Sequence, residues 1–352
     1  MKDNKNENGI NINKVKQITI CLFLILIFNN TYKKEVNSDY TPRISIFLPI
    51  YNKATNLVNS IRSIQMQTLK DIEIVAINDC SKDNTLDVLI NLAKNDSRIK
   101  IINNEITKGL LYSRAMGILN SRGEYLMNLD PDDEFNSPDN LEYLYKIANK
   151  SKIDVISFGF IKKNKLNISR HFLCSNFKKI HFQPEIINTY YKKIDYLLWN
   201  KFVKKQLFLK VYEIFKEEIY AEKWNYSEDE IWSALLYKYA NSMICVKKII
   251  YIYKTNNDSL MANKYNLLYI KNIIYWIKMF KKVCNKENGK ILLIDRFNQL
   301  LKRINENVTF FLKIFNNNSD IKKKYLKILK NINNEYIFNN SNLTNLINFL
   351  KK

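Results

Sequence analysis

Histidine is nearly absent from this chain, and its cysteines are few and scattered. The two histidines are His171 and His181, and the five cysteines form no Cys-x-x-Cys pair. Because zinc sites need Cys or His ligands at close spacing, this pattern argues against a zinc centre. Glycine and proline are also scarce, at 6 and 5 residues, which limits tight turns and favours regular helices and strands.

Acidic residues are the minority charge. The 352 residues contain 34 acidic and 56 basic side chains, for a net charge of +22. Such a balance attracts phosphates, nucleic acid or anionic membrane surfaces. The basic residues are spread singly between apolar ones, without an Arg-rich block or a stacked-aromatic pattern, which argues against nucleic acid as a partner. A hydrophobic content of 46%, with 13% aromatic residues, indicates a well-formed core.

Long hydrophobic runs are missing, apart from one short stretch near the start. Residues 18–28 are almost wholly apolar, but a membrane-spanning helix needs about 20 such residues. Lysines precede the run, as in a signal peptide, and no small-residue cleavage site follows it. We therefore expect residues 1–40 to be an N-terminal signal-anchor and linker that associates the protein with the ER, Golgi or plasma membrane. A cleaved signal and a buried helix are the alternatives.

Short apolar runs alternate with helical patterns in the next part of the chain. Runs at 44–48, 72–77, 99–102 and 125–129 are typical of buried strands, and the segments between them carry apolar residues at helical spacing. This alternation predicts an α/β fold with a mostly parallel sheet flanked by helices. Polar loops follow three of these strands. Because ligands in such sheets bind beyond the carboxyl ends of the strands, we expect a site where the three loops converge.

The fourth strand ends in an acidic loop, Asp130-Pro131-Asp132-Asp133. Three close carboxylates repel one another, and a hard cation such as Mg²⁺ or Mn²⁺ offsets this repulsion while bridging carboxylates to a substrate phosphate. We therefore expect Asp130 and Asp132 to form a metal-binding Asp-x-Asp motif. An ordinary acidic turn, in which Asp and Pro are common, is the alternative.

Five motifs, in order, resemble the family 2 glycosyltransferases, which are inverting enzymes of the GT-A fold. They are ISIFLPIYNKATNLVNSIRSIQMQT, DIEIVAINDCSKDNT, NEITKGLLYSRAMGILNSRGEYLMNLDPDDEF, LLWNKFVKKQLF and YSEDEIWSALLYKYANSMICVKKIIYIYKTNNDSLM. The resemblance implies a Rossmann-like GT-A catalytic domain over residues 41–265. It also implies metal-dependent transfer of a hexosyl or N-acetylhexosaminyl group from a UDP- or GDP-sugar to an acceptor hydroxyl, with inversion.

The resemblance further implies which residues hold the donor. Pro49, Tyr51 and Asn52 are expected to line the pocket for the nucleotide base. Asp79 is expected to accept a hydrogen bond from that base. Arg114 is expected to face the diphosphate, where a fixed cation is useful.

The acidic residues carry the implied chemistry. Asp130 is expected to bind the ribose or help hold the metal ion, and Asp132 to ligate it. Asp229, within Ser-Glu-Asp-Glu, is expected to be the catalytic base that takes the acceptor's proton. That segment can equally be a helix N-terminus carrying favourable acids, and the two interpretations are compatible. Trp199 is expected either to stack on a sugar or to lie in the core.

Two positions depart from the family pattern. Cys80 replaces the family's Gly, and Ala115 replaces the Asn that usually follows the helix Arg. If position 80 needs a positive φ, Cys is strained there. These departures favour the main non-enzyme alternative, a catalytically degenerate nucleotide-sugar-binding or membrane-associated scaffold protein. A nucleotidyltransferase is a further alternative, but the sequence lacks a Gly-rich phosphate loop near the first strand.

The resemblance ends at about residue 265. Residues 266–352 carry apolar positions at helical spacing among many lysines, which predicts a C-terminal α-helical extension. Its basic faces are typical of solvated surfaces, with contact to an anionic membrane as the alternative.

The family resemblance implies two kinds of partner, a nucleotide-sugar donor and a glycan, lipid-linked or protein acceptor. Nucleic acid is not expected as a partner.

Overall fold

The computed structural model describes residues 41–164, 167–172, 180–183, 186, 197–221 and 228–255. The expected signal-anchor (1–40) and helical extension (266–352) both lie outside these residues. Within the described ranges, no helix is both long enough and apolar enough to cross a membrane.

The described residues form a mixed α/β fold. The strands are β1 (Ile44–Ile50), β2 (Ile72–Asn78), β3 (Ile99–Asn103), β4 (Tyr125–Asn128), β5 (Glu134–Phe135), β6 (Val155–Lys163), β7 (Ile168–His171), β8 (Ile180–Phe182), β9 (Lys201–Lys204) and β10 (Ser242–Lys254). The helices are α1 (Ala54–Gln65), α2 (Thr85–Asn95), α3 (Leu110–Asn120), α4 (Asn140–Ser151), α5 (Lys205–Ala221) and α6 (Glu228–Tyr239).

All of these strands belong to one sheet, in the order β3-β2-β1-β4-β9-β6-β10-β5, with β7 paired to β6 and β8 to β10. The pairs β3-β2, β2-β1 and β1-β4 are parallel. Strand β9 then runs antiparallel to both of its neighbours, β4 and β6. The parallel half is the α/β unit predicted from the sequence, and β9 joins it to the second half.

Both faces of the parallel half are buried, which explains its continuous apolar strands. In β1, Ile46 and Leu48 belong to a core cluster that also contains Leu57 of α1 and Leu141 of α4. Phe47 points to the opposite face, where its ring centroid lies 6.0 Å from that of Phe208 of α5. The sheet is therefore covered by helices on both sides.

The sequence prediction for β1 ended too early. The strand continues through Pro49 to Ile50, paired with β2 along its whole length. A proline has no N–H for a strand ladder, but β4 pairs with β1 only as far as Phe47. Pro49 therefore lies where one side of the strand no longer needs a hydrogen-bond donor.

Gly123 lies where the turn before β4 passes very close to β1. An added Cβ would lie 2.5 Å from the backbone nitrogen of Ser45 and 2.7 Å from the carbonyl carbon of Ile44. The Gly123 N–H also donates to Ser45 Oγ at 2.7 Å, and Ser45 Oγ donates to buried Glu73 at 2.6 Å. Any side chain at this position must push backbone apart.

We expect Gly123→Ala to destabilise the fold by about 1–3 kcal/mol, the usual cost of overpacking a core. Chemical denaturation measures this loss in the free energy of unfolding. The control is Asn91→Ala on the exposed face of α2, which should change stability by less than about 0.5 kcal/mol. Equal effects of the two substitutions would show that the close approach at Gly123 has no energetic weight.

Candidate active site

The loops after β1 and β2 are bound to each other at the carboxyl edge of the sheet. The Asn52 N–H donates to Ser81 Oγ at 3.0 Å, and Asn52 Oδ1 accepts from the Lys82 N–H at 2.7 Å. Asn52 and Cys80 both adopt positive φ, of 52° and 57°. The Cys that replaces the family's Gly is therefore held in the left-handed region, which is unfavourable for a residue with a side chain.

The three residues expected in the base pocket differ in their accessibility. Pro49 is buried at the end of β1, Tyr51 is 45% exposed, and Asn52 is exposed. The side-chain oxygen of Asn52 is already engaged by the second loop. Tyr51 therefore offers an exposed aromatic ring to a ligand.

Asp79 is buried and organises the loop that leads into α3. Its Oδ1 accepts from Asn104 Nδ2 at 2.9 Å and from the Lys108 N–H at 2.7 Å, and its Oδ2 accepts from the Gly109 N–H at 2.8 Å. Gly109 has a φ of 93°, so this loop uses a conformation that favours glycine. Three of the carboxylate's acceptor positions are thus filled within the protein, and contact with a base stays a prediction.

The acidic loop after β4 has three carboxylates in three different environments. Asp130 Oδ1 accepts from Asn128 Nδ2 at 2.8 Å and from an Arg114 amino group at 3.4 Å. Asp132 Oδ2 accepts from Lys53 Nζ at 2.7 Å. Asp133 is 1% exposed. The structure thus leaves Asp130 and Asp132 half-buried after β4 and buries Asp133.

Asp133 is a structural anchor for the end of β10. Its Oδ2 accepts from the Tyr251 hydroxyl at 2.9 Å, and its Oδ1 accepts from the Lys254 N–H at 2.7 Å. The Tyr251 oxygen in turn accepts from the Asp130 N–H at 3.1 Å. Burial, together with the neighbouring charges of Asp130 and Asp132, raises the pKa of Asp133 well above its ordinary value.

Asp130 and Asp132 suit a divalent cation by chemistry, because hard cations prefer carboxylate oxygens. The described part of the chain offers no group of three or more His, Cys, Asp or Glu side chains arranged to hold a metal. Two carboxylates plus a ligand's phosphate oxygens and water make a typical magnesium site. The residues present therefore fit a cation that binds together with a phosphate ligand.

Arg114 is almost wholly buried, and its guanidinium joins the acidic loop to the start of α6. One amino group donates to Glu228 Oε1 and the other to Asp130 Oδ1. The side chains of Arg114 and Glu228 are each 3% exposed. Burial lowers the pKa of Arg114, but the charges of Glu228 and Asp130 more than offset this, so the net pKa is raised.

Asp229 lies next to this ion pair, in the first turn of α6, and is partly accessible. Burial raises the pKa of Asp229 well above its ordinary value, and the charge of Glu228 adds to the shift. Arg114 opposes the shift in part. A carboxylate with a raised pKa binds a proton more readily, which is the property that a general base requires. Ser227, the first residue of the Ser-Glu-Asp-Glu segment, lies outside the described residues.

Trp199 is part of the core. It is 5% exposed, and its ring stacks on Tyr251 at a centroid distance of 4.5 Å and on Tyr253 at 5.5 Å. Of the two interpretations offered by the sequence, the structure supports the packing one. Ala115 is fully buried as well, so its side chain is shielded from solvent.

Sequence reasoning missed Lys53 and Tyr251 as members of this site. Lys53 directly follows the Tyr-Asn pair of the first loop, and it binds the acidic loop. Tyr251 lies on a strand with Tyr at positions 251 and 253, and alternate residues of a strand share a face. That period of two could have identified a tyrosine pair facing one side of β10.

The sequence matches known glycosyltransferases. Residues 45–206 match the family described as Glycosyl transferase family 2. An uncharacterized glycosyltransferase, EpsJ of Bacillus subtilis, is 26% identical over 230 residues, which are 64% of this chain and 64% of EpsJ. The GalNAc(5)-diNAcBac-PP-undecaprenol beta-1,3-glucosyltransferase of Campylobacter jejuni is 36% identical over 132 residues, covering 37% of this chain and 42% of that protein. The matches thus span less than two thirds of either relative's length.

Solved structures support the fold independently. A crystal structure of S. aureus TarS 1-349 in complex with UDP-GlcNAc superposes with a TM-score of 0.61, at 18% sequence identity, over 82% of this chain and 79% of that one. The corresponding UDP complex gives a TM-score of 0.57, at 17% identity. The fold is therefore that of the GT-A glycosyltransferases.

We expect Arg114→Met to cost about 3–5 kcal/mol, because it leaves the Glu228 carboxylate buried without its partner. The double variant Arg114→Met/Glu228→Met should be more stable than Arg114→Met alone, since a buried ion pair is often replaceable by apolar side chains. Denaturant unfolding of wild type, both single variants and the double variant measures the coupling free energy. Strict additivity would contradict a direct interaction between the two residues.

Proposed function

The chain belongs to glycosyl transferase family 2, and from this we propose that it transfers a sugar from a nucleotide-sugar to an acceptor hydroxyl, with inversion and with a divalent cation. The observation that carries the proposal is the Arg114 bridge. It joins Asp130 of the acidic loop to Glu228, the residue next to Asp229. A donor-side carboxylate and a candidate base are thus neighbours within one site, as glycosyl transfer requires.

The donor is proposed to lie across the loops that follow β1, β2 and β4. Tyr51 is the exposed ring in the first loop and suits stacking on a nucleotide base. Asp79 would act chiefly by fixing the 104–109 loop, through its three hydrogen bonds. A uridine nucleotide is favoured over a guanosine one, because TarS, which shares this fold, has been crystallised with UDP-GlcNAc and with UDP.

Asp130 and Asp132 are proposed to hold Mg²⁺ or Mn²⁺ together with the donor diphosphate. When bound, such an ion stabilises the negative charge that develops on the leaving nucleoside diphosphate. The protein's own contribution is to present two carboxylates at a sheet edge while a third, Asp133, is tied back by Tyr251 and Lys254. Arg114 is unavailable for direct phosphate contact while it binds Glu228 and Asp130, so its proposed role is to position the acidic loop.

Asp229 is proposed to accept the proton of the acceptor hydroxyl. As that proton leaves, the hydroxyl oxygen forms a bond to the anomeric carbon from the face opposite the leaving phosphate. The bond between the anomeric carbon and the phosphate oxygen breaks, and inversion follows. Because burial and Glu228 raise the Asp229 pKa, the carboxylate is a stronger base than an ordinary Asp.

A lipid or lipid-linked acceptor is the class that we favour. The Campylobacter jejuni relative is named for a substrate carried on PP-undecaprenol. A cholesterol galactosyltransferase of Borreliella burgdorferi is 31% identical over 181 residues, covering 48% of this chain. Undecaprenol and cholesterol, which occur in these two names, are both lipids. The proposed signal-anchor of residues 1–40 would place the enzyme near such acceptors.

Asp132→Ala should abolish the Mn²⁺-dependent part of UDP binding while the thermal unfolding midpoint stays close to that of the wild type. The reason is that Asp132 is a cation ligand at the edge of the sheet, outside the core. Isothermal titration with UDP, with and without Mn²⁺, measures the effect. Asp139→Ala, which removes an exposed acid paired with Lys248, is the control. Equal Mn²⁺-dependent affinity in Asp132→Ala and wild type would refute the metal assignment.

Asp229→Asn should lower sugar transfer by about 10²–10⁴-fold, the usual contribution of a general base, while UDP binding is retained. Glu228→Gln is the matched neighbour, and its effect on the rate should be smaller because that carboxylate binds Arg114. If Glu228→Gln is inactive and Asp229→Asn is nearly normal, the base is misassigned by one residue. Absence of transfer by the wild type with every nucleotide-sugar tested would favour the scaffold alternative.

The pH profile gives a second readout of the same assignment. A base must be ionised to work, so activity should fall as the pH decreases through the Asp229 pKa. Because that pKa is raised, the fall should occur at a higher pH than an ordinary aspartate would give. The ascending limb should disappear from the residual activity of Asp229→Asn. An unchanged limb would assign it to another group.

A further inference from the structure

Lys53 occupies an electrostatically unfavourable position at the start of α1. It is the N-cap residue of that helix, whose own first turn contains no acidic residue. An acid from another loop lies at this helix end, because Asp83 Oδ2 accepts from the Ala54 N–H at 3.2 Å. The N-terminus of a helix carries partial positive charge, so a cation is disfavoured there and an anion is favoured. A lysine ammonium near this helix end is therefore expected to turn away from it and pair with a carboxylate.

The described structure supplies that partner. Lys53 Nζ lies 2.7 Å from Asp132 Oδ2, and the two side chains are 26% and 17% exposed. The backbone of Lys53 is fixed as well, because its N–H donates to Thr85 Oγ1 at 2.9 Å and its carbonyl accepts from the Leu57 N–H at 3.0 Å. The ammonium group is thus tethered within reach of the acidic loop.

Each carboxylate of the acidic loop is stabilised by different partners. Asp130 has Arg114, and Asp133 accepts from Tyr251 and from the Lys254 N–H. Within the described residues, Asp132 has Lys53 alone. Asp132, the proposed metal ligand, is therefore paired with a single, partly exposed lysine from another loop, Lys53.

We propose that Lys53 is a built-in counter-ion of the acidic loop, which holds Asp132 in the ligand-free protein and must release it before a divalent cation can be ligated there. This inference rests on the proposed role of Asp132 as a metal ligand. Lys53 and the cation then compete for one carboxylate. Because its backbone is fixed, the released ammonium stays beside the loop, where the diphosphate of the donor would lie.

The competition has a definite sign. If Lys53 competes with the cation, removing its ammonium group should strengthen cation binding. If Lys53 only assists phosphate binding, removing it should weaken the binding of the cation together with its phosphate ligand. A partly exposed ion pair contributes about 0.2–1 kcal/mol, which corresponds to a gain in Mn²⁺ affinity of up to about fivefold. The sign therefore separates a competing lysine from a simple phosphate ligand.

The test measures Mn²⁺ binding directly and needs no turnover. Free Mn²⁺ is followed by electron paramagnetic resonance while the full-length protein is titrated with Mn²⁺, with and without UDP. The variants are Lys53→Met, which removes the charge, and Lys53→Arg, which keeps it. The control is Lys146→Met, which removes an exposed lysine that also lies 2.7 Å from a carboxylate, that of Glu142.

The proposal expects tighter Mn²⁺ binding in Lys53→Met, by up to about fivefold, and wild-type binding in Lys53→Arg and Lys146→Met. Unchanged or weaker binding in Lys53→Met, while the wild type binds Mn²⁺, overturns the competition and leaves the proposed metal site standing. If neither wild type nor variant binds Mn²⁺ although both bind UDP, the metal part of the proposed function fails, and the competition fails with it.

Discussion

The rest of the site depends on one interaction, in which the buried guanidinium of Arg114 binds the carboxylates of Glu228 and Asp130. It joins α3 and the nearby acidic loop after β4 to the first turn of α6, which lies far from both in the sequence. An arginine suits this position because its planar fork can bind two carboxylates at once and stays charged when buried. Without it, the buried Glu228 carboxylate would lose the guanidinium that pairs with it in the described part of the chain, and α6 would lose this link to the acidic loop.

Several polar side chains at the sheet edge form hydrogen bonds within the protein that fix the conformation of its loops. Asn52 and Asp79 fix neighbouring loops through hydrogen bonds to backbone N–H groups. Backbone groups in loops need such partners because they have no ladder or helix to satisfy them. A family motif can therefore mark a residue that shapes a pocket as readily as one that contacts the substrate.

The sequence predicted the parallel half of the sheet well. Strands buried on both faces appear in a sequence as continuous apolar runs, and polar loop residues mark where these runs end. It placed Asp130 and Asp132 correctly at a strand end for the same reason. It did not predict β9, since a four-residue strand that pairs with two distant strands has no local signature. It also could not show that Arg114 faces Glu228, because pairing across a sequence separation of 114 is decided by tertiary packing.

Strand β9 has a mechanical consequence. It is hydrogen-bonded on one side to β4, which carries the acidic loop, and on the other to β6, which pairs with β10. A hinge between the two halves would have to break these ladders, at the cost of several buried hydrogen bonds. Within the described residues the two halves therefore form one continuous sheet that resists bending. Conformational changes on ligand binding are then confined to side chains and loops at the edge of the sheet, such as the side chain of Lys53.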